Sequence, residues 1–253
     1  MLRFAGPHSV VAAALLLGVA GTQLFAVEPG ITAGPPQTPS YILVGFVGGF
    51  VRHTNHRHGP VFLAERIRKS APQNAYVQVF ENRHRKAAYH SIVRLIDKDH
   101  NGNLSQEEKS TARIILFGQS WGASAVVLLA RELDREDIPV LLTVQVDSVA
   151  KPWQHDGIIP DNVLEAANFY QPHGLVHGRS EIRAADDSKT QIVGNYRFDY
   201  QRNPVKCEGM SWFDRKITPD HMESECDPHL WNQVESLVRQ QFEPQRETLA
   251  SNP

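Results

Sequence analysis

The chain has 253 residues, 41% of them hydrophobic and 21% charged, which suits one ordinary globular domain with a full core and excludes a chain too polar to fold. A formal charge of −2 gives no global reason to bind nucleic acid, whose phosphates demand clustered Lys and Arg. No nucleic-acid partner is therefore expected.

The first residues place Arg3 ahead of an apolar run from Val10 to Ala20, with small residues around Ala20 and Ala26. This is the pattern of a secretory signal peptide over residues 1–26. The run is short for a bilayer span, so a retained anchor is the weaker alternative. No other stretch is apolar enough to cross, so no stable membrane span is expected once the signal is cleaved. Residues 27–40, VEPGITAGPPQTPS, read as a Pro/Gly linker. The expected protein is secreted or periplasmic, with its domain at 41–253. In that oxidising setting the two cysteines, Cys207 and Cys226, are expected to pair, two unpaired buried thiols being the alternative. Closing their loop would contribute about 3 kcal/mol in the chain-entropy model, and the loop encloses His221.

Tyr41 to Phe46 is a β-branched and aromatic run that stops at Gly48-Gly49, as a buried strand does before a tight turn. Val61 to Ser70 carries Phe62, Leu63, Ala64 and Ile67 as a helical stripe. Ala75 to Phe80 is a second strand, and Lys86 to Ile96 sets Tyr89, Ile92, Val93 and Ile96 at helical spacing. Arg113 to Phe117 is a third strand, Ala123 to Glu136 a helix, and Pro139 to Val146 a fourth strand. Strands alternating with helices imply an α/β fold, a mainly parallel sheet covered on both faces. Beyond Asp147 the pattern loosens. Ile159 to Tyr170 reads as a helix running into a short strand and Gln191 to Tyr200 as another strand. A final helix opens at Asp227 as cap with Pro228 at its first position.

Between the second strand's helix and the third strand lies DKDHNGNLSQEE, Asp97 to Glu108. Calcium takes six to eight oxygen ligands, and a twelve-residue loop supplies them from fixed positions. Asp97, Asp99 and Asn101 hold positions one, three and five. Gly102 permits the sharp turn, Asn103 offers its carbonyl, Ser105 sits at the water-mediated position, and Glu108 ends the loop as a bidentate carboxylate. From Lys86 to Ala112 the chain resembles an EF-hand, which implies Ca2+ as its cofactor. The exit helix is short and no second loop is present to form a pair, so the ion is expected to be structural; a polar turn that binds nothing is the bland alternative.

GQSWG, Gly118 to Gly122, follows a strand and opens a helix, the context that gives this short pattern meaning. Here the chain resembles the alpha/beta-hydrolase superfamily, lipases and esterases included, from Tyr41 to Gln241. The resemblance implies Ser120 as nucleophile and the Trp121 N–H as one oxyanion donor. A second donor is expected from the turn after the first strand, at Gly48, Gly49 or Phe50. That turn lacks the His-Gly pair common in the superfamily. A serine needs a neutral histidine to take its proton and a carboxylate to fix the histidine tautomer. The superfamily order of serine, acid, histidine points to Asp147, directly after the fourth strand, over Asp156, Asp161, Asp186 and Asp187. For the base it points to His221, ahead of the last helix, over His155, His173, His177 and His229.

Three features have plainer readings. His53, His56 and His58 lack the spacing of a zinc site. The run from Glu81 to Lys86 reads as a solvated loop better than as an anion site. Trp121 and Phe50 suit an acyl wall or ordinary packing equally. The expectation is thus an exported serine hydrolase acting on a small-molecule or lipid-like carboxylic ester, or a thioester, with a structural calcium site. Its rival is a non-catalytic calcium-binding protein using the same scaffold to hold a ligand or a protein.

Overall fold

The computed structural model describes residues 39–209 and 218–242. The expected signal peptide and all but the last two residues of the expected linker lie outside the described residues. β1 (Ile42–Val47), β2 (Tyr76–Glu81), β3 (Ile114–Gln119), β4 (Val140–Val146), β6 (Val163–Tyr170) and β8 (Gln191–Arg197) form one sheet in the order β2-β1-β3-β4-β6-β8. Every neighbouring pair in it is parallel. A second, two-stranded sheet joins β5 (Ile158–Ile159) to β7 (Arg183–Ala184).

Alternation along each strand divides the core in two. On one face Ile42, Val44 and Phe46 of β1 and Ile114 and Leu116 of β3 pack with Ala88, Ile92 and Ile96 of α2 (Arg85–Ile96). Val126, Leu129 and Leu133 of α4 (Trp121–Asp134) complete that layer. On the other face Leu43, Ile115 and Phe117 meet Leu63 and Ile67 of α1 (Gly59–Arg68) and Leu230, Trp231, Val234 and Val238 of the C-terminal helix, α6 (Pro228–Gln240). Each such aliphatic side chain, removed from water, stabilises the fold by roughly 1.5–3 kcal/mol. A parallel sheet covered on both faces is the α/β architecture expected. As expected too, Asp227 caps α6 through the His229 N–H at 2.8 Å, with Pro228 at its first position.

One expectation fails. The segment from Ile159 to Tyr170 contains no helix; Val163–Tyr170 is a continuous strand. Its helix-like spelling, VLEAAN, is overridden because Val163 and Ala166 fill one core layer while Ala167 and Phe169 fill the other. Only a strand set between β4 and β8 satisfies both sides and its own backbone. The segment around His221 is a short helix of its own, α5 (Pro219–Cys226).

Cys207 and Cys226 form a disulfide with Cα atoms 5.7 Å apart. Among the described residues no helix is long and apolar enough to cross a membrane. Since all strands of the main sheet run the same way, the loops after β1, β2, β3, β4 and β6 emerge at one edge, where open α/β sheets gather their functional groups.

Candidate active site

Ser120 stands between the end of β3 and the first residue of α4 with φ 56° and ψ −127°. A side-chain-bearing residue held there carries about 1–3 kcal/mol of strain, which the surrounding packing must impose. The imposing contact is tight: a Cβ at Gly122 would overlap the Phe46 carbonyl, so the start of α4 lies directly against β1. A Cβ at Gly48 would sit 2.7 Å from the Ser120 Cβ, which places the turn after β1 over the same serine. Glycine is what both approaches require.

His221 bridges the distant segments. Its Nε2 is 3.0 Å from Ser120 Oγ and its Nδ1 is 2.6 Å from Asp147 Oδ2. All three residues are buried, Asp147 completely. Asp147 follows β4 with φ 42°. Its carboxylate faces donors only: besides His221 Nδ1–H, it accepts from Gln171 Nε2 at 3.0 Å and from the Gly178 N–H. With Nδ1 thus protonated, the Nε2 lone pair faces Ser120, the tautomer a general base needs. Gln119 Nε2, 3.3 Å from His221 Nε2, borders the same nitrogen.

The base is braced from behind. On α5, Glu225 accepts from His58 Nδ1 at 2.7 Å, a buried pair at the start of α1. Trp231 Nε1 donates to the carbonyls of Ser224 and Glu225. The disulfide closes the same helix at Cys226.

The Trp121 N–H is at the first position of α4, where no helical carbonyl precedes it and the helix dipole is positive. The turn after β1 is closed by Val51 N–H donating to Gly48 O at 3.2 Å, with Gly48 lying against the serine. The Phe50 and Trp121 rings meet edge to face at 5.7 Å, and Phe50 is 85% exposed, a wall open to solvent.

The competing residues do not converge. Asp156 is buried but bound by Ser148 Oγ at 2.5 Å and Arg179 Nε at 2.9 Å. Asp161 and Asp186 share Lys189. His173 faces Asp199, and His229 is exposed at the start of α6. His53, His56 and His58 face three separate carboxylates, Glu81, Glu65 and Glu225. In the basic run, Arg83 pairs with Glu81 and Arg85 with Glu132. Gln171 and Gly178, which hold Asp147, escaped the sequence reading. The position of Gln171 just past the end of β6 was a usable signal for it; nothing marked Gly178.

A second polar cluster lies in the loop from α2 to the five-residue α3 (Gln106–Ser110). Asp97, Asp99 and Glu108 bring carboxylate oxygens within 4.8 Å of one another. Asp97 Oδ2 accepts the Gly102 N–H at 3.0 Å, while Oδ1 is buried with no hydrogen-bond partner. Asp99 accepts from the Asn101 N–H at 3.1 Å and Asn101 from the Asn103 N–H at 2.7 Å. Glu108 accepts from Ser105 N–H at 2.9 Å, Ser105 Oγ at 2.8 Å and Lys98 N–H at 2.6 Å. These donors, the Ser105 N–H foremost, hold its carboxyl down to about 2. An all-oxygen donor set with an orphaned buried carboxylate oxygen fits a hard cation.

No protein-family model and no curated protein sequence matches this chain. Among solved structures it is similar to an arylesterase, at 10% identity over 82% of this chain and 78% of that one, with a TM-score of 0.44. It is also similar to a cutinase-like protein from Cryptococcus sp., at 13% identity over 80% and 95% of the two chains, with a TM-score of 0.42. The thioesterase of the prodiginine biosynthetic pathway in Streptomyces coelicolor matches at 13% identity over 78% and 98%, with a TM-score of 0.37. With scores below 0.5, none of these likenesses bears on the chemistry, which rests on the groups around Ser120.

Proposed function

We propose that this chain is an exported serine hydrolase that cleaves a carboxylic ester, or a thioester, of a small or lipid-like molecule. The observation that carries this reading is one imidazole bonded at Nε2 to Ser120 Oγ and at Nδ1 to a fully buried carboxylate. In the reaction, His221 Nε2 takes the Ser120 proton as Oγ attacks the substrate carbonyl carbon. The carbonyl oxygen becomes an oxyanion facing the Trp121 N–H and the turn at Gly49 and Phe50. Protonated His221 then gives its proton to the departing alkoxide or thiolate, leaving an acyl-Ser120 ester. A water, deprotonated by the same Nε2, attacks that ester and frees the acid and the serine. Asp147 stays ionised throughout, orienting the ring and balancing its transient charge.

The loop from Asp97 to Glu108 supports a calcium site on this scaffold, held by Asp97, Asp99, Asn101, the Asn103 carbonyl and Glu108, with Ser105 at the water-mediated position. Bound there, the ion would tie α2 to the entry of β3. Export accords with the disulfide and with the N-terminal sequence.

Hydrolysis of short- and long-chain nitrophenyl esters by wild type and Ser120→Ala, with and without chelator, tests the reading. The expected result is turnover by the wild type in both conditions and a loss of about 10⁴-fold or more in the variant. Equal rates in the two proteins would leave only a binding scaffold.

A further inference from the structure

We infer that Asn82 and Lys151 are positioning residues that set the oxyanion turn; the inference rests on the hydrolase reading and deepens it. Asn82 follows β2 and is buried, yet its side chain bonds outside its own element. Its amide Nδ2 donates to Gly49 O at 2.6 Å and to Val47 O at 3.3 Å. Its Oδ1 accepts from Lys151 Nζ at 2.8 Å. The amide orientation admits no alternative, because an ammonium only donates and the two carbonyls only accept.

The consequence is geometric. All peptide bonds among the described residues are trans, so each carbonyl drawn toward Asn82 points the N–H of the next residue in the opposite direction within the peptide plane. Asn82 therefore grips the peptide units on either side of the turn and aims the Gly48 and Phe50 N–H groups away from itself. The Gly48 unit lies against Ser120, as its missing Cβ shows. The Phe50 N–H makes no hydrogen bond among the described residues, which leaves it open to an oxyanion.

Lys151 completes the device. It belongs to the loop that leaves Asp147, and its Nζ also lies 4.7 Å from the centroid of the Trp121 ring. One ammonium thus spans the residue bearing the first oxyanion donor and the amide that sets the second. The acid loop, the nucleophile helix and the oxyanion turn are locked to one another through it.

The decisive variant is Asn82→Asp. A carboxylate keeps, as an ion pair, the bond to Lys151, so a role limited to joining loops survives it. It cannot donate to Gly49 O or Val47 O, so the turn loses its hold. Expected with a nitrophenyl ester is a fall in kcat of about 10²-fold with KM within about twofold, as for loss of one oxyanion donor. Affinity for a trifluoromethyl ketone, which adds Ser120 to form an oxyanion, falls in step with kcat. Lys151→Met lowers kcat about tenfold by freeing the amide, and Asn82→Ala behaves as Asn82→Asp does. An Asn82→Asp protein with wild-type kcat and ketone affinity overturns this inference alone. A wild type that neither turns over esters nor binds the ketone overturns the hydrolase reading and this inference with it.

Discussion

The two ends of β3 carry polar clusters built on opposite principles. Ser120 stands at its C-terminal end, and the loop from Asp97 to Glu108 leads into its start; six residues at about 3.3 Å each separate them by about 20 Å. Around Ser120 the groups come from remote parts of the chain and satisfy one another, with Asp147 accepting from the loop after β6 as well as from His221. In the loop, the groups are neighbours in sequence and bond mainly to local backbone, and Asp97 Oδ1 is left buried without a partner. An arrangement assembled from afar depends on the whole fold; one assembled locally needs little of it but is completed by something from outside. The first is what a mechanism needs, the second what a ligand site needs.

Breaking the remote assembly has the largest expected effect. His221→Gln or Asp147→Asn should lower kcat by about 10³–10⁴-fold, through loss of the base or of its tautomer, while calcium binding by calorimetry stays intact. A parallel loss of both would show that the two ends are not independent. Acid separates them next. Hydrolysis requires the neutral His221 ring, because a protonated imidazole has no lone pair for the Ser120 proton. The Glu108 cap behaves differently: hydrogen bonds from Ser105 and the Lys98 N–H depress its carboxyl to about 2. The stability it contributes is therefore complete above its unfolded pKa and lost only as pH falls through about 2. A helix at α3 that melted at pH 5 would contradict this. Smallest is the ion itself. Asp97→Ala should abolish calcium binding, whereas in the wild type a tenfold excess of calcium over its Kd adds about 1.4 kcal/mol. That is a rise of about 3–6 °C in Tm, with the rate at 25 °C unchanged by chelator.

Legibility in the sequence follows the same division. The loop from Asp97 to Glu108 spells its side-chain oxygens in order because its geometry is local, and the strand-serine-helix pattern around Ser120 is local too. Strands β1 to β4 were readable because buried parallel strands are continuous apolar runs. Val163–Tyr170 misled because its spelling suits a helix and only its two sheet neighbours make it a strand. Asp147 and His221 could be ranked from chain order, but not the 74 residues of separation closed by their bond. Asn82 and Lys151 carried no mark at all, and Gln171 only its place just past the end of β6. Their roles consist of whom they touch, and contact between loops is a property of topology.

The bond between Cys207 and Cys226 has one more consequence. It is made to the last residue of the helix that presents His221, so His221 sits on a segment whose closure depends on the redox state of its surroundings. With its sulfurs reduced, that helix is still held through His58, Trp231 and the Val205 N–H donating to Glu223. The disulfide is one covalent restraint added to a helix already tied by hydrogen bonds, and its formation fixes the place from which His221 meets Ser120.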